Sequence, residues 1–473
     1  MSMRNVRKSR RAAMAAIAAA AAAGMLLAGC ATTVSGTAQI GSDTPGAVVS
    51  SNGNPDSGSA ASAAPSSANP LTDGPPSSDA PTPSDAQPSS GAPSTSDGSP
   101  PSPTSDDQGS SSAPPDSTSA GTSGPPAGDL SVYPIKPRHI EKNPSSPQEQ
   151  SLVEGRRLAA YVPVPTAIDP QYSEGGDIST LPLKGPTAMG ILFTDPVPAV
   201  AQRAGMYAGF SSAQSTFGHT GSLLTAAFVF PDAAAATKAA LSLSAAAKSK
   251  GDKPLAIPGQ PKALASISAG TEPSAQAFLA IGPVVGYVYV SAKAGKTAAF
   301  PSTAAKALAA EAKLLAAYTP TPKAKLATLL EDPDGVLGRT LPELAGNGTV
   351  VDGSWTPTAF LHYMIGYASS AALFSKIKVD AVAVGRSTVY RAADHPGALE
   401  LAVTNVQQIA GTYPKMKPYP TPGGTADTTC VADNLGAKYY CSGAVGRYTF
   451  EYWADSEADM AHSVASQVTV LTA

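Results

Sequence analysis

Between Gly41 and Gly128 the chain has no lysine, no arginine and no aromatic residue. Ser, Pro, Ala, Gly, Thr and Asp make up almost all of it. Such a stretch cannot bury enough apolar surface to offset the entropy of ordering its backbone, so it predicts disorder. Folding is thereby confined to the residues C-terminal to it. As a flexible tether from Cys30 to Tyr133, the next aromatic residue, it has an r.m.s. reach of roughly 50–60 Å, and proline stiffens it further.

The segment before the tether reads as an export leader. Arg4, Arg7, Lys8, Arg10 and Arg11 form a positive n-region, Ala12 to Ala28 is apolar and uncharged, and the small Gly29 precedes Cys30. An uncleaved membrane anchor is the competing reading, but a span needs about 20 strongly apolar residues and this run is shorter and alanine-rich. Leu27-Ala28-Gly29-Cys30 resembles the lipobox of bacterial lipoproteins, which implies cleavage before Cys30 and acylation of its thiol and new amine. Two or more acyl chains anchor stably where one binds only marginally. The protein is then expected on the outer face of the cytoplasmic membrane, its partner there being the membrane itself. The Ser/Thr/Pro composition of the tether also resembles O-glycosylated stalks, although a plain spacer is the simpler expectation.

Charge divides unevenly. Five of the 32 basic residues lie in the leader, and ten of the 35 acidic ones are aspartates between Asp43 and Asp129. From residue 130 onward 27 basic residues face 25 acidic ones, about +2, with no basic stripe for nucleic acid.

Apolar periodicity returns near Ser151, in a length that favours two domains. The expected organisation is a signal peptide over 1–29, a tether over 30–130, a first domain over 150–330 and a second over 345–473, joined through Thr319–Gly348. An internal repeat supports it. In the first copy Thr220–Phe230 predicts a strand, Asp232 caps a helix to about Lys248, Gln276–Ser291 is a second strand region and Ser302–Tyr318 a closing helix. In the second, Val379–Arg391 predicts the strand, Asp394 caps a helix to about Ala410, Lys438–Trp453 is the later strand region, and Asp455 to about Leu471 closes. An earlier strand and helix are expected in Thr187–Ser212 and in Thr358–Ile377. Leu399, Val403, Val406 and Ala410 share one helical face, as do Met460, Val464, Val468 and Leu471, and Leu308, Ala312 and Leu315. Tyr287 and Tyr289 alternate with Val288 and Val290 as in a strand buried on both sides. The fold class is therefore α+β: two similar tandem units, each an antiparallel or mixed sheet with helices packed on one face, packed about a pseudo-two-fold axis with a cleft between.

With Cys30 acylated, Cys430 and Cys441 remain as a pair flanking the turn-forming Asp433-Asn434-Leu435-Gly436. A hairpin would set them opposite each other, and an exported chain favours the oxidised bond. Buried thiols are the alternative. A redox-active pair is disfavoured because ten residues intervene rather than two.

The lipobox, Val34-Ser35-Gly36-Thr37-Ala38 and the Ser/Pro tether resemble mycobacterial-type lipoproteins. Glu154-Gly155-Arg156-Arg157-Leu158, Asp332-Pro333-Asp334-Gly335-Val336-Leu337-Gly338-Arg339-Thr340-Leu341-Pro342 and Val382 to Ala392 resemble a family of uncharacterised actinobacterial lipoproteins with a tandem-repeat ectodomain. The resemblance spans roughly residues 150–473. It implies a tandem α+β module on the cell envelope and brings no catalytic residues.

Other motifs are weaker. Val290 to Thr297 ends like a phosphate loop, but Val290 stands where the first glycine is needed, so an exposed turn is expected. Gly209-Phe210-Ser211-Ser212-Ala213 lacks the last glycine of a nucleophile elbow and falls in an apparent helix–loop segment. His139, His219, His362, His395 and His462 show no zinc spacing, and His362 is expected half-buried in a strand. Asp332-Pro333-Asp334-Gly335 lacks the distal ligands of a calcium loop and reads as a turn. No metal and no cofactor is therefore expected. Trp355, His362, Tyr363 and Tyr367 are the candidate ligand-binding residues, with core packing as the commoner explanation of such spacings. The expected function is a non-catalytic envelope module that binds a ligand or partner along the seam between the repeats. An envelope hydrolase of esters or glycans, or a structural spacer, are the alternatives.

Overall fold

In the computed structural model, residues 133–140, 143–175, 179–344, 346–425 and 427–473 are described. The leader, Cys30 and the tether lie outside the described residues. Within the described residues, strands form two antiparallel sheets of seven. The first holds β1 (Leu181–Leu183), β2 (Ala208–Ser215), β3 (Gly221–Val229), β4 (Lys253–Pro254), β5 (Leu264–Ser268), β6 (Ser274–Ile281) and β7 (Val284–Ala292). The second holds β8 (Gly353–Trp355), β9 (Ala381–Val384), β10 (Thr388–Arg391), β11 (Met416–Tyr419), β12 (Thr428–Asp433), β13 (Tyr439–Val445) and β14 (Tyr448–Ala454). The first is ordered β1-β2-β3-β7-β6-β5-β4. The second, read from its own first strand, is β8-β9-β10-β14-β13-β12-β11. The two orders are the same, so the repeat inferred from element succession is a repeat of topology.

The main helices are α1 (Pro147–Ala159), α2 (Val197–Arg203), α3 (Ala233–Ala247), α4 (Phe300–Leu315), α5 (Tyr367–Lys376), α6 (His395–Thr412) and α7 (Glu457–Thr472). Their starts are set by side-chain chemistry. Asp232 accepts from the Ala235 amide at 2.7 Å and Asp394 from the Gly397 amide at 2.9 Å, as the sequence predicts. The last helix is capped by Ser456, one residue beyond the expected Asp455.

Some expectations are corrected. Val379–Arg391 is the hairpin β9–β10, because Gly385 and Ser387 close a turn through a 2.9 Å backbone bond. In Thr187–Ser212 the helix α2 precedes the strand, and Thr358–Ile377 contains helical turns and α5 but no strand. The apolar face of α6 is Ala398, Leu401, Ala402, Val406 and Ile409, whereas Val403 is 42% exposed. Leu399 is partly buried against the shared core. α1 carries little apolar periodicity and is established by a Ser146–Glu149 capping box.

Helices cover both faces of each sheet, where one covered face was expected. On the first sheet α3 packs over Leu224, Ala226, Phe228, Phe278 and Tyr287, while α4 packs over Leu223, Ala277, Val288 and Val290 on the opposite side. On the second, α7 packs over Ala383, Val389, Cys441, Phe450 and Tyr452, and α6 over the other face. This is why β7 alternates tyrosine and valine with both faces apolar.

A shared core fills the seam between the halves. Leu158, Tyr207, Phe210 and Val284 of the first half pack with Trp355, Phe360, Leu361, Val382, Tyr390 and Leu401 of the second. Burying each large side chain contributes roughly 2 kcal/mol, so this seam is a major part of the fold rather than an open cleft.

Candidate functional site

The four aromatic candidates lie in that seam. Trp355 is buried in β8, donates its indole N–H to Val351 O at 2.9 Å, and meets Phe210, Phe360 and Tyr363 edge-on. Tyr363 and Tyr367 pack against the shared core, partly buried. His362 sits in a 3-10 turn, Leu361–Tyr363, and is buried, not half-exposed in a strand.

His362 ties the halves together. Its Nε2 donates to Ala159 O at the end of α1 at 3.0 Å, which leaves Nδ1 to accept from the Ser212 hydroxyl of β2 at 2.8 Å. Burial pulls its pKa down to about 4, against the opposing effect of backbone acceptors, so the ring is neutral at ordinary pH. A serine hydroxyl beside an imidazole has the composition of a hydrolytic dyad. Here Ser212 lies in the middle of β2, not in a helix–loop segment, and is 1% exposed. The far nitrogen meets a carbonyl rather than a carboxylate. The pair is shaped as a latch.

The motifs that carry the family resemblance also act structurally. In α1, Glu154 accepts from the Thr321 amide at 2.8 Å and from the Tyr318 phenol. Any side chain at Gly155 would stand 2.7 Å from Gly209 O, so glycine lets α1 lie on β2. Arg156, its pKa lowered to about 10 by burial, donates to Asp352 O at 2.8 Å. The Asp332 carboxylate accepts from the Leu337 and Gly338 amides at 2.9 and 2.8 Å, closing the turn that the sequence predicts in place of a calcium loop. That loop then docks on the β9–β10 turn: Arg386 N donates to Leu341 O, and Leu341 N to Ser387 Oγ, both at 2.9 Å. Cys430 and Cys441 are direct partners across β12 and β13 and form a disulfide. Lys293 to Lys296 form an exposed turn around Gly295, as expected. Among the described residues no group of His, Cys, Asp and Glu could hold a metal ion.

A different site was not visible in the sequence. A cavity of about 410 Å³ opens on the α3 face of the first sheet. Its floor draws on two cross-strand rows, of which all but Ser291 and Ser266 line the cavity. Ser215, Ser222, Ser291, Ser274 and Ser268 are successive register partners across β2, β3, β7, β6 and β5. Direct partners share a face, so five hydroxyls form one line. Ser222 and Ser291 bond at 2.7 Å, and Ser268 and Ser274 at 2.9 Å. The next row is Ala213, Leu224, Tyr289, Gln276 and Ser266. Gln276 is held by Ala247 O at 2.9 Å.

The walls are Ile191 to Thr194 on one side and Ala247, Ser249 and Asp252 on the other. Phe193 lies 4.7 Å from Tyr287, ring to ring. Tyr287 is 3% exposed and lines the cavity, its ring also packed against Phe278. The available signal was serine near strand ends, as in Ser266-x-Ser268 of β5, Ser215 with Ser222 and Ser274 with Ser291. Only the register joins those pairs into a row.

No curated protein matches this chain. Among solved structures, the crystal structure of the extracellular domain of PknH from Mycobacterium tuberculosis is similar at 17% identity and a TM-score of 0.24, over 33% of this chain and 95% of that one. Residues 141–330 match the N-terminal and residues 336–473 the C-terminal part of DUF7373, a domain of unknown function. The chain thus belongs to the DUF7373 family and carries its two domains in tandem.

Proposed function

We propose that this protein is a non-catalytic ligand-binding module of the cell envelope, held to the membrane by acyl groups on Cys30 through a disordered tether over residues 30–130. Its binding site is the cavity on the first sheet. The observation that carries the reading is a concave, hydroxyl-floored cavity walled by Phe193, Tyr287 and Tyr289. Such a cavity has the size and the few convergent polar groups of a small-molecule site. The leader pattern and Leu27-Ala28-Gly29-Cys30 support the anchor, and no helix among the described residues is long and apolar enough to cross a membrane. A Cys30→Ala variant is expected to leave the membrane fraction.

The test of binding is native mass spectrometry of the protein isolated from its own envelope. Wild type is expected to carry an exchangeable small ligand that a cavity-filled Ser215→Phe variant does not. Identical spectra for the two would defeat the reading. The Ser212–His362 contact favours a second reading as a hydrolase. An activity-based fluorophosphonate that labels Ser212 of the folded protein would promote it; burial predicts no labelling.

A further inference from the structure

We propose that the first-sheet cavity takes a neutral polyhydroxylated ligand, a sugar ring or short neutral saccharide. This deepens the ligand-binding reading above and rests on it.

The chemistry of the lining selects the class. A serine hydroxyl both donates and accepts, so Ser215, Ser222, Ser274 and Ser268 present hydrogen-bonding capacity of either sense along the cavity floor. A polyol has the matching property. Two lateral serine pairs use only part of that capacity. Ser215 has no side-chain partner among the described residues. Among the described residues no lysine, arginine or histidine lines the cavity. The one carboxylate among the described lining residues, Asp252, already accepts from the Ser249 amide at 3.0 Å. An anion would enter without a counter-charge, which disfavours phosphates and carboxylates. The walls supply Phe193, Tyr287 and Tyr289, flat apolar surfaces suited to the C–H face of a sugar ring. Phe217, at the tip of the β2–β3 hairpin just beyond the Ser215–Ser222 pair, is 85% exposed. The Tyr287 hydroxyl adds a phenol to the polar groups of the lining.

Comparison with the second half shows how the site arose. β2 and β3 are eight and nine residues long, whereas their counterparts β9 and β10 have four each. The extra length is the overhang that carries Ser215 and Ser222. At the position of Tyr287 the second half has Glu451, bonded to the Tyr390 and Tyr440 hydroxyls at 2.7 Å. Its counterpart polar group is thus already satisfied by protein.

The test is saturation-transfer NMR with titration calorimetry on the full chain. The probes are glucose, galactose, mannose, arabinose and maltose, with glucosamine and glucuronate as charged analogues. At least one neutral sugar is expected to bind, more tightly than either charged analogue. Tyr287→Phe is expected to weaken it about fivefold, the value of one neutral hydrogen bond. The same substitution keeps the ring and its packing, so its melting temperature should be unchanged, and Ser215→Phe should abolish binding. Binding of a charged analogue, or of the amphiphilic aromatic anion anilinonaphthalene sulfonate, that Ser215→Phe abolishes, with no neutral sugar bound, would overturn the saccharide assignment while leaving the site. If no probe responds to Ser215→Phe and the isolated protein also carries nothing, both the assignment and the binding reading fall.

Discussion

Replacing His362 with glutamine should alter how the protein responds to acid. The imidazole is buried across the seam, neutral, and used at both nitrogens. Its pKa is lowered from 6.5 to about 4, so the unfolded chain takes up a proton in a range where the folded one does not. The associated stability is therefore fully present above pH 6.5 and is lost as the pH falls toward 4. At about 1.4 kcal/mol for each pH step, the loss over this window is about 3 kcal/mol. Glutamine loses one bond and the ring contact with Phe210, which costs about 1–2 kcal/mol at neutral pH, but it does not titrate. The two stability curves should cross within the window. Urea unfolding followed by tryptophan fluorescence, with Trp355 in the same core, would measure the difference at pH 7.5, 6, 5 and 4.5. Surface carboxylates act on both proteins alike and cancel. A difference that stays constant across the series would show that His362 is not a buried neutral latch.

Other expectations are independent of this one. Glu311 of α4 is fully buried over Gly286 with no cationic partner among the described residues, and burial raises its pKa well above the ordinary value against a weaker opposing pull from the Ala226 backbone. The folded state then holds a proton that the unfolded state gives up, so stability falls as pH rises above 4.5, by up to about 1.4 kcal/mol per pH step. Glu311→Gln should stabilise, and by more at pH 8 than at pH 6 in urea titrations; equal effects would mean the carboxylate has a counter-charge. Gly155→Ala should cost about 1–3 kcal/mol and lower the melting temperature, since the methyl group meets the Gly209 carbonyl. Reduction, or Cys430→Ser with Cys441→Ser, should cost about 3 kcal/mol for a loop closed over a sequence separation of 11, read as a melting shift that reductant no longer changes in the double variant.

The sequence alone determined the elements that local chemistry controls. Asp232 and Asp394 announce helices because a carboxylate before an apolar run satisfies free amides, whatever lies beyond. The alternation through Tyr287 to Val290 announces a strand with two covered faces, and the spacing of Cys430 and Cys441 around a turn announces a hairpin. The order of these elements even exposed the duplication. Tertiary structure decided what depends on residues distant in the chain. Val403 has the right spacing for a buried face, but the helix buries Ala398, Leu401, Ala402, Val406 and Ile409 and leaves Val403 42% exposed. His362 reads as an ordinary apolar-segment histidine until Ser212 and Ala159, far earlier in the chain, arrive at its two nitrogens. The serines of β2, β3, β5 and β6 carry no signal singly. They become the floor of a cavity only because strand register, a long-range property set by packing, lines them up on one face.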